Sequence, residues 1–256
     1  MIDARAVVAP EAKIAPDVEI GPFSVIGRDV EIGPGTWIGP HVVIKGPTRM
    51  GANNKVYQFA SIGEDPQDKK YKGEVTRLEI GDRNVFREAV TVNRGTVTGS
   101  GVTTIGNDNL FMAYSHVAHD CRLGNQIILA NCATLGGHVD IGDWAILGGL
   151  SAAHQFTRIG AHAFIAHNTM VTRDVPPYVM AVGRPAVPHS VNVEGLTRRG
   201  FSAQQIRNIR RAYRVLYRSG LKLNEALDRL DRTAESEAEI RPFVEFIHSS
   251  SRSLVR

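Results

Sequence analysis

An apolar residue recurs every six positions for most of this chain. Stepping from Val8 gives Ile14, Ile20, Ile26, Ile32, Ile38, Ile44, Met50, Val56 and Ile62. The same phase returns at Ile80, Phe86 and Val92. After a slip of one residue it runs from Ile105 through Phe111, Val117, Leu123, Leu129, Leu135, Ile141, Leu147, Ala153, Ile159 and Ile165 to Val171. All 25 positions are apolar in a chain that is 43% apolar, and 18 of the 25 are followed by Gly or Ala, so chance is excluded. A period of six is neither a helix face nor a simple alternating strand. Short strands joined by tight corners satisfy it, each placing one aliphatic in a narrow core. Three such strands close a triangular coil of 18 residues, and stacked coils make a parallel β-helix. An ordinary β-sandwich would not hold one phase over residues 8–171.

Two segments break the phase. Residues 64–77 are highly charged and read as a loop leaving the wall, and residues 96–101, Thr-Val-Thr-Gly-Ser-Gly, are a second excursion. Surface loops on a rigid scaffold often carry function. The repeat ends at Asp174-Val-Pro-Pro-Tyr178, and a linker with Pro185 and Pro188 follows. Ser202 is a good helix N-cap and Gly220 a good stop, with Ile206, Ile209, Tyr213 and Leu216 on one stripe between them. Two further helices are expected, near 224–234 and 236–249. The chain therefore divides into a mainly β domain over 1–189 and a small α-helical domain over 190–256.

Composition excludes several classes. No run of about 18 apolar residues is present to span a membrane. The first residues lack the basic-then-apolar layout of a signal peptide. The only cysteines, Cys121 and Cys132, make no disulfide framework and suit a reducing cytoplasm.

Stacking of 18-residue coils lets neighbours be read from residue numbers, with adjacent coils about 4.8 Å apart. His116, His119, Asp120, Gly137, His138, His154 and Gln155 then gather on one wall and corner over three coils. Asp120 falls one coil below His138, and His119 below Gln155 with Gly137 between them. None occupies a core position. Imidazole is the side chain best suited to proton transfer near neutral pH, and a Gly beside it can offer a backbone N–H to a developing oxyanion. A base with such a donor suits acyl transfer to a hydroxyl.

The hexad pattern resembles the hexapeptide-repeat acyltransferases, whose coils are left-handed. Four runs are more specific: His-Val-Ala-His-Asp-Cys (116–121), Gly-Gly-His-Val (136–139), Ala-Ala-His-Gln-Phe (152–156) and Val-Asn-Val-Glu-Gly-Leu-Thr-Arg-Arg-Gly-Phe (191–201). They resemble the UDP-N-acetylglucosamine 3-O-acyltransferases that begin lipid A synthesis, along the whole chain. The resemblance implies that His119 is the general base, assisted by Asp120, with the Gly137 N–H for the oxyanion. His116, His138, His154 and Gln155 would line the sugar and acyl pocket. Asp68 and Lys70 would hold the nucleotide sugar, and Asn192, Glu194, Arg198 and Arg199 the uridine and diphosphate. His167 would set acyl chain length, its bulk favouring a medium chain. Asn93 stands where family members often have His, which weakens any catalytic role for that position.

The same resemblance implies a homotrimer with sites between subunits, Lys70 acting across an interface, acyl carrier protein as donor partner, and neither metal nor cofactor. Its nearest alternative is the N-acyltransferase acting later in the pathway, or transfer to a 3-amino sugar. That N-acyltransferase family carries a domain ahead of the repeats, whereas here the hexads start near residue 1. A zinc site of the carbonic-anhydrase kind on His116, His119 and His138 is a distant alternative.

From Arg198 to Arg218 there are seven arginines and no acid. Arg207, Arg210, Arg211, Arg214 and Arg218 form one helical stripe. No aromatic interleaving points to nucleic acid, and the stripe reads as a landing site for an acidic protein such as acyl carrier protein.

Overall fold

The computed structural model describes residues 1–256. Three parallel sheets wrap one narrow core. The first wall has nine strands, from Val7–Val8 to Met170–Val171; the second has eight, from Lys13–Ile14 to Arg158–Ile159; the third has ten, from Glu19–Ile20 to Val187–Val191. Most strands are two residues long, and the hexad residue is the inward one. Of the 25 hexad positions, 23 are buried; Val8 and Ile14, on the first coil, are half-covered because no coil lies below them. Pairing follows the expected spacing: His116 lies beside Thr134 and Thr134 beside Ala152.

The corners carry the strain. Nineteen non-glycine residues have positive φ, and they fall into three columns, one per corner. Asp120, His138 and Phe156 belong to the first corner, between the first and second walls, with φ of 59°, 60° and 63°. Trp144, His162 and Tyr178 belong to the second, and Tyr114, Leu150 and Asn168 to the third. Left-handed backbone costs a non-glycine residue about 1 kcal/mol or more. Ladder hydrogen bonds on both sides hold each corner against that cost.

A buried asparagine ladder closes the second corner. Asn54 Oδ1 accepts from the Asn84 backbone N–H at 2.9 Å and amide at 3.1 Å. Asn84 Oδ1 accepts likewise from Asn109 at 3.0 and 2.9 Å, and Asn109 Oδ1 accepts from Ile127 N–H at 2.7 Å.

Both excursions leave from the first corner. Residues 65–76 connect strands Ser61–Glu64 and Arg77–Ile80, and residues 94–101 connect Thr91–Asn93 and Val102–Ile105. Thr91 therefore pairs with His116 across 25 residues rather than 18. Arg94, buried, forks onto the Gly63 carbonyl and the Asp65 carboxylate and reaches the Tyr71 hydroxyl at 3.1 Å. Asn93 is also buried and donates to Asp65 O at 2.8 Å, so it anchors the first loop.

The segment read as a proline linker is an antiparallel hairpin, Val179–Val182 with Val187–Val191, which extends the third wall. The division at 189/190 thus falls inside a strand. Helix α1 (Val193–Arg198), not expected from the sequence, follows directly. Then come α2 (Ala203–Arg218), with Ser202 and Gln205 in a capping box, and α3 (Leu223–Ser236). The last expected helix is a 3-10 turn, Ala238–Ile240, running into α4 (Arg241–His248). The chain end returns to the solenoid, where Leu254 pairs with Asp174.

Replacing Asn84 with Ala should lower unfolding free energy by about 3 kcal/mol, because each buried polar group left without a partner costs about 1–3 kcal/mol. Denaturant melts test this; an unchanged midpoint would mean that the ladder adds nothing to stability.

Candidate active site

The first corner builds the site from successive coils. His119 and Asp120 are adjacent, and the left-handed backbone at Asp120 turns its carboxylate back towards its neighbour. His119 Nδ1 lies 2.8 Å from Asp120 Oδ2. One coil above, the His138 ring meets His119 edge-on at 5.1 Å and stacks on Phe156 at 4.3 Å. Side-chain exposure is 14% for His119, 1% for Asp120 and 21% for His138, so the His119 imidazole opens to solvent while its carboxylate partner does not.

Burial pushes the Asp120 carboxyl up, but hydrogen bonds from the Thr96 hydroxyl, His119 and the Thr96 N–H outweigh it and hold the group below its usual value. An ionised carboxylate only accepts. His119 must therefore donate from Nδ1, which leaves Nε2 as the basic nitrogen of the neutral ring. Nε2 emerges beside Gly137: a Cβ built on Gly137 would lie 2.6 Å from His119 Cε1 and 2.7 Å from Nε2. Only glycine fits here, and the reason is space, since Gly137 has no positive φ.

His116 projects outward from the first wall, with Nδ1 2.7 Å from the Thr91 hydroxyl. Burial and then the nearby His119 depress its basicity. His138 is depressed too, by burial first, against the raising effect of Asp120. His154 and Gln155 are exposed two coils above His119, with His154 Nδ1–H donating to Gln155 O at 3.0 Å. Asp68, in the first loop, is close enough to His138 to act on its charge; Lys70 is exposed two residues further on.

The remaining candidates lie elsewhere in the chain. Asn192 is buried, caps α1 through Gly195 N–H at 3.2 Å, and donates to His162 O at 3.0 Å. Glu194 and Arg198 form an exposed ion pair along α1. The Arg199 guanidinium lies against His162 and over Trp144, 5.1 Å from the ring centroid. These four residues sit at the second corner. His167 sits at the third, beside Gly149, where an added Cβ would be 3.4 Å from His167 Nδ1. Residue numbering alone placed His167 on the right coil without showing that it lies across the first wall from His119.

Reasoning from the sequence did not find the residues that hold the histidines, namely Thr91, Thr96 and Ser100. The available signal was the hydroxyl-rich composition of the second excursion.

His119, Asp120 and His138 bring three possible ligand atoms within 4.8 Å of one another. The Asp120 oxygens already accept from Thr96, Ser100 and His119, so the donor set does not fit an open metal site.

Residues 102–137 match the family model for bacterial transferase hexapeptides, six repeats, and residues 174–255 match that for domain 2 of UDP-N-acetylglucosamine O-acyltransferase. The acyl-[acyl-carrier-protein]–UDP-N-acetylglucosamine O-acyltransferase of Stutzerimonas stutzeri is 52% identical over 256 residues, covering 100% of this chain and 99% of its own length. The chain belongs to the UDP-N-acetylglucosamine O-acyltransferase family. The solved Francisella novicida acyltransferase of this family superposes with a TM-score of 0.98 at 45% identity, covering 100% of this chain and 94% of that one. The Acinetobacter baumannii structure gives 0.97 at 44%, covering 100% and 99%. With the O-acyltransferase family comes the hand of the coil: the solenoid is a left-handed parallel β-helix.

In an O-acyltransferase built this way, Gly137→Ala should push the His119 imidazole aside without straining the backbone. Turnover should fall roughly 100-fold, the scale expected when a reacting group is displaced by about 1 Å, with the melting temperature unchanged. Retained turnover would show that the ring has room to move.

Proposed function

We propose that this chain transfers an R-3-hydroxyacyl group from acyl carrier protein to the glucosamine 3-hydroxyl of UDP-N-acetylglucosamine, the first step of lipid A synthesis. The observation that carries this reading is the free Nε2 of His119 beside Gly137, with Nδ1 fixed by a buried carboxylate.

His119 Nε2 takes the proton of the 3-hydroxyl as its oxygen attacks the thioester carbonyl. The Gly137 N–H stabilises the oxyanion. As the carbon–sulfur bond breaks, His119 returns the proton to the departing thiolate, and Asp120 stabilises the imidazolium in between. No metal or cofactor takes part. His116, His138, His154 and Gln155 line the sugar and acyl pocket around this centre. Asp68 and Lys70 hold the sugar nucleotide from the first loop, and Asn192, Glu194, Arg198 and Arg199 form its nucleotide end, where Arg forks suit a diphosphate. The buried cap made by Asn192 leaves it to act by shaping α1.

A homotrimer with active sites between subunits completes the site. The second wall presents Lys13, Glu31, Arg49, Arg122, Asp140 and Arg158 and suits solvent. The third wall presents half-exposed Leu110, Ile128, Ile146 and Phe164. Phe23, Phe59, Tyr114 and Leu150 stand more than half exposed along the third corner. Packing the third wall of one copy against the first wall of the next covers these groups. It also brings α1 of one copy to the His119 corner of another, a meeting that one chain cannot make. Lys70 would act at that same interface. No helix is long and apolar enough to cross a membrane, and the reading places the enzyme in the cytoplasm. On α2, Arg207, Arg210, Arg214 and Arg218 face outward while Arg211 pairs with Glu237; this stripe is the landing site for the acidic carrier protein.

Incubation with UDP-N-acetylglucosamine and a panel of 3-hydroxyacyl carrier proteins, followed by mass spectrometry, tests the reading; an acylated sugar nucleotide is expected, and none from any donor would refute it. Within that panel a medium chain of the 3-hydroxydecanoyl type should be preferred. An acyl chain running inward along the first wall from His119 meets His167 at the third corner, while each methylene that fits adds about 0.8 kcal/mol of burial. His167→Gly should move the preference towards 3-hydroxymyristoyl with nucleotide-sugar affinity unchanged. Unaltered selectivity would take His167 out of the groove.

A further inference from the structure

The Asp120 carboxylate is 1% exposed, and a buried charge of this kind needs donors. Nearly all of them come from the second excursion. Thr96 Oγ1 donates to Oδ2 at 2.6 Å, and Thr96 N–H reaches both oxygens at 3.1 Å. Ser100 N–H donates to Oδ1 at 3.0 Å and its hydroxyl lies at 3.3 Å. The backbone of Asp120 is held as well, donating to Thr103 Oγ1 at 2.8 Å. The excursion closes so tightly that a Cβ on Gly99 would lie 2.5–2.6 Å from the two carboxylate oxygens. Its root is rigid, because Arg94, two residues before Thr96, is buried and fixed to the first loop.

We propose that Thr96 is a positioning residue of the base: its hydroxyl, with the N–H groups of Thr96 and Ser100, clamps Asp120 in the orientation that fixes the His119 Nδ1–H and aims Nε2 at the acceptor. The clamp rests on the reading of His119 and Asp120 given above. It explains why the solenoid is interrupted one coil below the base. An uninterrupted hexad would offer a backbone corner there, with no hydroxyl or loop N–H groups to surround a carboxylate. Residues 96–101 contain no charged residue, and the Arg94 guanidinium is turned to Gly63 and Asp65, so the charged or titratable side chains facing the Asp120 carboxylate are His119 and His138. Burial favours the protonated acid, and the Thr96 hydroxyl is the leading hydrogen bond opposing it.

Thr96→Val keeps the shape and removes the hydroxyl. Turnover should fall roughly 10-fold, the scale for one hydrogen bond to a charged group, while KM for the nucleotide sugar stays constant. The acid limb of the turnover–pH profile should move to higher pH, because Asp120 protonates more readily without that donor. Thr96→Ser should restore both, and Val97→Ala, at an exposed neighbour, should change neither. The double variant Thr96→Val, Asp120→Asn should be no slower than Asp120→Asn alone, since the two residues act through one another. Wild-type turnover and an unshifted acid limb in Thr96→Val, with Asp120→Asn impaired, would overturn the clamp; so would fully additive losses. If Asp120→Asn itself turns over like the wild type, the underlying reading of the dyad fails instead.

Discussion

Each coil of the solenoid must return its backbone to hydrogen-bonding register with itself after 18 residues, and the site depends on that constraint. Register decides which residues become neighbours. It places Gly137 on His119 and His138 above Asp120. A solenoid of this kind is quasi-one-dimensional, so its geometry repeats without accumulating error. Groups from positions 116 to 155 can therefore be held on one edge to the tolerance that proton transfer needs.

The register also spreads the candidate residues over three corners. Three corners point in three directions, and the chain uses them differently. The first carries the imidazoles and both excursions, the second carries Arg199, at the end of α1, against Trp144 and His162, and the third carries the exposed aromatic column and His167. His162 shows the price of the second corner: burial and then the Arg199 charge bring its pKa down to about 4, so it stays neutral beside that guanidinium. Charge on the second wall and apolar surface on the third are the pattern that the proposed homotrimer, with copies meeting along the first and third walls, requires.

Much of this was legible from residue numbers. The hexad phase fixes the fold, and arithmetic on 18 places Gly137, His138 and Gln155 above His119 and Asp120 correctly. Arithmetic fails where the phase breaks. The seven extra residues between Thr91 and His116 hide the pairing that gives His116 its hydroxyl partner. The hydroxyls of Thr96 and Ser100 stand out in composition, but no spacing ties them to Asp120, because the contact spans 20–24 residues across the break in phase. The proline-rich stretch after 178 reads as a linker, since prolines break ladders; it forms a hairpin because Pro185 lies between its strands and Pro188 lies at the sheet's edge strand. Asn192 was assigned from a motif, and its side chain proves to cap a helix that no periodicity signalled.

In the proposed reaction a single imidazole, oriented by register and by a buried carboxylate, moves the proton. Turnover of His119→Ala, measured on protein shown to keep its assembly and melting temperature, tests it most directly. A fall of at least about 100-fold is expected, within the range for loss of a general base. Near-normal turnover in that correctly folded variant would contradict it and assign the proton transfer to another group.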